Sequence, residues 1–201
     1  MKSLRAALNW QTLLAVFFIL LPTLLGFYHG DRGRLIAMVS AASDPNFSKT
    51  VLFMFDQNWY RSRALVLNRP YPDRSSLPSY LRKGEVPIYW GGPVEDRDSV
   101  FILGIQDGKL TKVISFDEAV KIQPDILAQV AKRPDCYRVF VGYAGWGLAQ
   151  FQLEKELQIW RVTDFAPFVF DPALSFEEIW QKALSLSSDK KKPKIRDRQK
   201  T

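Results

Sequence analysis

The run Val139-Phe-Val-Gly-Tyr-Ala-Gly-Trp-Gly147 constrains the fold of this chain more than any other stretch. Apolar side chains crowd its first half, as a buried strand requires, and Gly142, Gly145 and Gly147 follow in close succession. A backbone that passes from bulky residues into so many glycines must turn sharply or press against another segment. The pattern predicts a central strand over residues 138–143, a glycine-rich junction, and a helix over 148–157. Amides at such a strand-to-helix junction can hold an anion. The spacing G-x-x-G-x-G matches neither the dinucleotide fingerprint nor a P-loop, which needs Lys followed by Ser or Thr. Close packing beside Trp146 is therefore the leading reading of these glycines, and ligand contact the second.

The rest of the chain reads as short strands followed by helices. Strands are expected over residues 34–40, 50–55, 64–68, 86–90, 100–105 and 110–116, with turns at Asp44-Pro45, Gly91-Gly92-Pro93 and Asp107-Gly108. The first two are apolar on both faces. A short helix is expected over 77–82, and Pro124 fits the first turn of another reaching Lys132. After a strand over 158–162, Ser175-Phe-Glu-Glu178 forms a capping box that opens a last helix. Phe176, Ile179, Trp180, Ala183 and Leu184 recur there at helical spacing. Strands first and helices later argue for a mixed α+β domain over residues 31–188 rather than an alternating doubly wound sheet.

Three motifs together carry a family resemblance. Leu65-Val-Leu-Asn-Arg-Pro70, Trp90-Gly-Gly-Pro-Val94 and the 139–147 run resemble the YqgE/AlgH family, a group without an agreed biochemical activity. The likeness spans about residues 33–184 and includes the Asp44-Pro-Asn-Phe47 turn. It implies a compact fold with a bifurcated, barrel-like sheet flanked by helices. The chain departs from the family pattern at Asp56, where histidine is common, at Arg61-Ser-Arg63, and after Gly147, where Leu148-Ala-Gln-Phe151 lengthens the segment.

Charge placement narrows the partners. The net charge is +7, but Lys2, Arg5 and the tail over 189–201 hold all of it, and residues 6–188 carry 19 basic and 19 acidic side chains. A neutral body lacks the basic stripe of a duplex-DNA binder, which disfavours specific DNA binding. The tail suits an anionic lipid surface. His29, the sole histidine, precedes the domain, so a Ser-His-Asp triad or a His-bearing metal site within the domain is excluded. Cys136, the sole cysteine, permits no intramolecular disulfide and reads as a small core residue. No cofactor or metal is implied. Glu95, Asp96 and Asp98 read as a solvated turn, and Trp59 and Tyr60 as a loop pair available for contact.

Residues 6–27 contain no charged side chain and would span roughly 30 Å as a helix. They are read as an uncleaved transmembrane anchor over residues 1–30 that places the domain on the cytoplasmic side of the inner membrane. A cleaved signal peptide, leaving the domain in the periplasm, is the alternative. Together these readings describe a membrane-tethered, non-enzymatic module that binds a protein or small ligand in a regulatory role, with a nucleic-acid-binding transcriptional regulator as the alternative. The candidate ligand-binding residues are Asn68, Arg69, Gly91, Gly92, Gly142, Gly145, Trp146 and Gly147, with a structural clamp on loop carbonyls the alternative reading of Arg69.

Overall fold

The computed structural model describes Leu14, Val16 and residues 30–39, 44–82, 86–96, 99–106, 109–133 and 136–189. Among these residues nine strands fall into two sheets. β1 (Leu35–Met38), β2 (Val51–Gln57), β3 (Ser62–Val66), β8 (Ala144–Trp146) and β9 (Trp160–Thr163) form one, in the order β8-β3-β2-β1-β9, antiparallel throughout. β4 (Ile88–Trp90), β5 (Val100–Gln106), β6 (Lys109–Ser115) and β7 (Tyr137–Val141) form the other, in the order β4-β7-β5-β6. There β4 runs parallel to β7, while β5 pairs antiparallel with both β7 and β6.

The double-sided apolar character of the strands follows from this layering. Strand side chains alternate between faces, so a strand is apolar throughout only when both of its faces are covered. Leu35, Ala37, Val51, Phe53, Leu65 and Leu67 point toward Phe101, Leu103, Ile105 and Phe140 and form the core between the sheets. Ile36, Met38, Leu52, Met54, Ala64 and Val66 face the other way, where Trp146, Phe151 and Trp160 cover them. Val100, Ile102, Val139 and Val141 line the outer face of the four-stranded sheet. Helices α1 (Ser79–Arg82), α2 (Phe116–Ile122) and α3 (Ile126–Lys132) cover it with Leu81, Ala119, Ile126 and Val130. Helix α4 (Gln150–Glu156) places Phe151 on the outer face of the five-stranded sheet, and α5 (Phe176–Asp189) seals the intersheet core with Ile179 and Ala183.

The mixed α+β expectation holds, but the barrel does not close. The sheets join along one corner only. There β7 passes through Gly142 and Tyr143 into β8 and so changes sheet, while Gly91 donates to Val141 O at 2.7 Å and accepts from Val66 N at 2.8 Å. At the far edge of the four-stranded sheet, β6 bonds to no strand but β5. No ladder closes that side, so the result is two sheets hinged at a corner.

Element boundaries shift modestly from expectation, and two differences matter. The expected strand over 138–143 ends at Val141, where Gly142 at φ +80° breaks the ladder, and a further strand, β8, occupies residues 144–146 of the expected glycine-rich junction. Helix α2 was not anticipated, although Ser115-Phe-Asp-Glu118 repeats the pattern that opens α5: the Ser115 side chain accepts from Glu118 N, as Ser175 accepts from Glu178 N. Cys136 is half-exposed in the turn before β7, accepting from the Arg133 guanidinium at 2.9 Å, and is not a core residue.

The expected single-pass placement in the inner membrane is also corrected. Among the described residues no helix is long and apolar enough to cross a membrane. The longest, α5, has 14 residues with one apolar stripe, whereas a crossing needs about 20 predominantly apolar ones. The expected anchor lies outside the described residues apart from Leu14 and Val16, both helical and exposed. His29 and the basic tail beyond Asp189 lie outside them as well.

Candidate functional site

The turn over residues 44–50 brings the motif residues toward one another. Asp44 starts it by accepting from Asn46 N through its side chain and from Phe47 N and Ser48 N through its carbonyl. Lys49 completes it at φ 56°. Arg69 then clamps the turn from outside, donating to Asn46 O at 2.7 Å and Ser48 O at 2.6 Å while lying over the Trp90 ring. Its partial burial lowers its pKa from the ordinary arginine value, and the Asp44 carboxylate opposes that shift. Asn68 locks the inner side: it accepts from Val51 N and donates to Lys49 O and Phe176 O, each at 2.9 Å.

So held, Phe47 packs between Trp90 and Trp160, and Trp160 meets Trp146 edge to face with centroids 5.7 Å apart. The two indoles share an acceptor. Trp146 Nε1 and Trp160 Nε1 donate to Glu154 Oε2 at 2.8 and 2.6 Å, and Gln150 Nε2 donates to Oε1 at 2.9 Å. Against this assembly opens a cleft of about 270 Å³, lined by Met38, Asp44, Phe47, Gly145, Trp146, Gln150, Glu154, Ile159 and Trp160. Its lining holds two carboxylates and no basic side chain. Three of Glu154's lone-pair positions are committed to N–H groups.

The eight sequence-predicted residues separate into three groups. Gly145 and Trp146 line the cleft. Asn68 and Arg69 act behind it as clamps on the turn, and Gly147 donates to the Gln150 side chain at 3.2 Å in the bend that leads to α4. Gly91, Gly92 and Gly142 stand at the corner between the sheets, which is a strand-to-strand crossing and not the start of a helix. A Cβ on Gly142 would lie 2.3 Å from Gly92 O, and one on Gly92 2.3 Å from the Tyr143 carbonyl carbon. Helix α4 begins eight residues beyond Gly142, after Ala149 at φ 57°. Gly142 therefore stands at a strand crossing and not at the strand-to-helix junction expected for it.

Sequence reasoning missed Asp44, Phe47, Gln150, Glu154 and Trp160 as cleft residues. A signal was present for two of them, since Gln150 and Glu154 stand four residues apart, neighbours on one helix face. Of the acidic segment after Pro93, Asp98 lies outside the described residues; Glu95 accepts from Tyr71 O–H at 3.1 Å, and Asp96 pairs with the buried Ser99. Burial raises the Tyr71 pKa, with the Glu95 charge adding to the effect. Among the described residues no group of acidic, histidine or cysteine side chains is arranged to hold a metal ion.

The fold and its motif placement agree with what comparison shows. The chain belongs to the AlgH-like family, whose profile matches residues 34–191. It is 33% identical over 167 residues to a UPF0301 protein of Paraburkholderia xenovorans, covering 76% of this chain and 85% of that one. A UPF0301 protein of Hahella chejuensis is 31% identical over 137 residues, covering 64% and 74%. The solution structure of the AlgH protein from Pseudomonas aeruginosa matches 78% of this chain and 87% of its own, with a TM-score of 0.54 at 23% identity. A crystal structure of a Corynebacterium diphtheriae protein gives a TM-score of 0.56 at 16% identity, covering 82% and 88%. At those identities the structural likeness speaks for the fold alone.

Proposed function

We propose that this protein is a non-enzymatic binding module that captures a small amine-bearing ligand in the cleft beside Trp146 and Trp160 and serves a regulatory role. One observation carries the reading: the cleft joins aromatic rings and two carboxylates, Asp44 and Glu154, with no basic residue in its lining. A cation is attracted both to aromatic rings and to carboxylates. The polar groups here already serve as structural partners, and the domain's sequence offers no histidine as a general base. The charge balance of residues 6–188 favours a small ligand over nucleic acid.

Butylammonium chloride is the probe. Its addition to the full-length chain should shift the indole N–H resonances of Trp146 and Trp160 in nuclear magnetic resonance spectra, saturably, while sodium butyrate at the same ionic strength leaves them in place. Identical responses to both salts, or none to either, would reject amine recognition at this cleft.

A further inference from the structure

We infer that a second ligand site, for an amphipathic anion, lies in the unclosed gap between the two sheets. A cavity of about 480 Å³ opens there, within the size range of roughly 300–1,000 Å³ typical of small-molecule sites. Phe53, Phe55 and Phe165 supply aromatic surface from the five-stranded side, and Leu110 and Val113 of β6 supply aliphatic surface opposite. Two cations, Arg32 and Lys112, complete the lining, and none of the lining residues is acidic. The chemistry is the reverse of that in the amine cleft. An apolar chain removed from water against the rings, with a carboxylate or similar head between Arg32 and Lys112, satisfies both halves of the lining.

Arg32 is presented rather than merely exposed. The turn that carries it is pinned by Asp31, which is 3% exposed, accepts from Lys155 at 2.6 Å and Arg34 at 3.4 Å, and donates its own N–H to Gln57 Oε1. Gly33, at φ +81°, donates to Met54 O at 2.8 Å and closes the turn against β2. The nearest acid in the chain is thus already engaged by two other cations, and among the described residues Arg32 has no ion-pair partner. Lys112 pairs only with Glu118, at 3.2 Å, with both side chains more than half exposed. An exposed pair of this kind is weak and yields readily to a ligand. Because the turn is fixed before binding, little ordering cost opposes capture.

The test is calorimetric titration of the full-length chain with sodium decanoate, and with decyltrimethylammonium bromide as the matched cation, both below their micelle thresholds. Decanoate should bind with one-to-one stoichiometry, more tightly than the cation, and more weakly as salt rises. The double variant R32Q/K112Q should weaken decanoate about threefold or more, given the modest worth of exposed charge pairs, with an unchanged urea midpoint showing intact folding. Phe55→Ala should weaken both alkyl ligands. Absence of decanoate binding, equal affinity for the two surfactants, or indifference to R32Q/K112Q would each overturn the assignment. Because the residues and the preferred charge differ from those of the amine cleft, either site can fail while the other stands.

Discussion

A Cβ built on Gly91 would lie 2.1 Å from the carbonyl oxygen of Gly142. The backbones can approach this closely only because Gly91 lacks a side chain at that point, as Gly142 does where its own Cβ would meet Gly92 O at 2.3 Å. The crossing is also bonded, since Gly91 donates to Val141 O and Gly142 N donates to Ser99 O, each at 2.7 Å. Gly142→Ala should therefore combine the strain of a left-handed alanine with an overpacked contact to Gly92 O, together about 2–5 kcal/mol. Gly147→Ala is the control. A Cβ there meets nothing within 4 Å, so its change should stay below about 0.5 kcal/mol. Urea unfolding of the two variants checks the contrast, and equal midpoints would remove the corner from any stabilising role.

Much of this architecture was legible in the chain, and the exceptions have physical causes. Strands apolar on both faces, such as residues 35–38 and 51–54, announce coverage on both sides, and the observed layers supply it. Periodicity does not reveal which strands share a sheet, so β8 was hidden in what reads as a glycine-rich junction after β7. Gly142 marked the place without stating which way the chain would turn. The clamps were half legible: Asn68 and Arg69 stood out as polar groups ending an apolar strand, yet their acceptors, Lys49 O, Asn46 O and Ser48 O, are backbone atoms that no side-chain pattern encodes. Arg32 and Lys112 were illegible as a pair. They stand 80 positions apart in the chain, and only the packing of β6 near β2 brings them to one cavity.

Glu154→Gln tests the carboxylate shared by the two indoles. A glutamine can keep its oxygen on the two indoles by turning its NH2 group toward Gln150 Nε2, so the indole bonds lose their charged acceptor and the Gln150 contact is lost, and a loss of about 0.5–1.5 kcal/mol is expected. Trp160→Phe removes one N–H donor together with part of a ring that is 3% exposed, so a cavity adds to the lost bond and its cost should be larger. Near-ultraviolet circular dichroism, which reports the tryptophan environments, should change in both variants. Unaltered spectra and midpoints in E154Q would show that the shared acceptor holds nothing.

Arg69→Lys keeps the charge but cannot donate to two carbonyls in a fixed fork, so the two substitutes are not equivalent here. The turn over residues 44–50 should loosen, raising amide hydrogen exchange at Ser48 and Thr50. Phe47 would lose its fixed place between Trp90 and Trp160, and the butylammonium response should weaken, with decanoate binding unchanged. Exchange rates equal to those of the parent chain would mean that the turn holds itself through Asp44 alone.

The capping box of α5 sets a pH dependence whose sign can be worked out. Glu178 accepts from Ser175 Oγ at 2.6 Å and Ser175 N at 2.8 Å, and these bonds, the side-chain one first, hold its pKa below the ordinary value of 4.5. A carboxylate with a depressed folded-state pKa binds fewer protons folded than unfolded, so it contributes stability above the unfolded value and loses that contribution as pH falls through the folded one. Asp73, whose pKa is lowered by bonds from Ser75, acts in the same direction. Stability of the parent chain should therefore decline on acidification below about pH 4.5, the ordinary glutamate value near which the loss begins. Glu178→Gln should flatten part of that slope while leaving the region near pH 7 parallel to the parent. Because α5 also packs Ile179 and Ala183 into the intersheet core, fraying of its first turn should reach Asn68, which donates to Phe176 O. Urea midpoints of parent and E178Q across the acid range provide the check, and parallel curves at every pH would show that the cap carries no linked protonation.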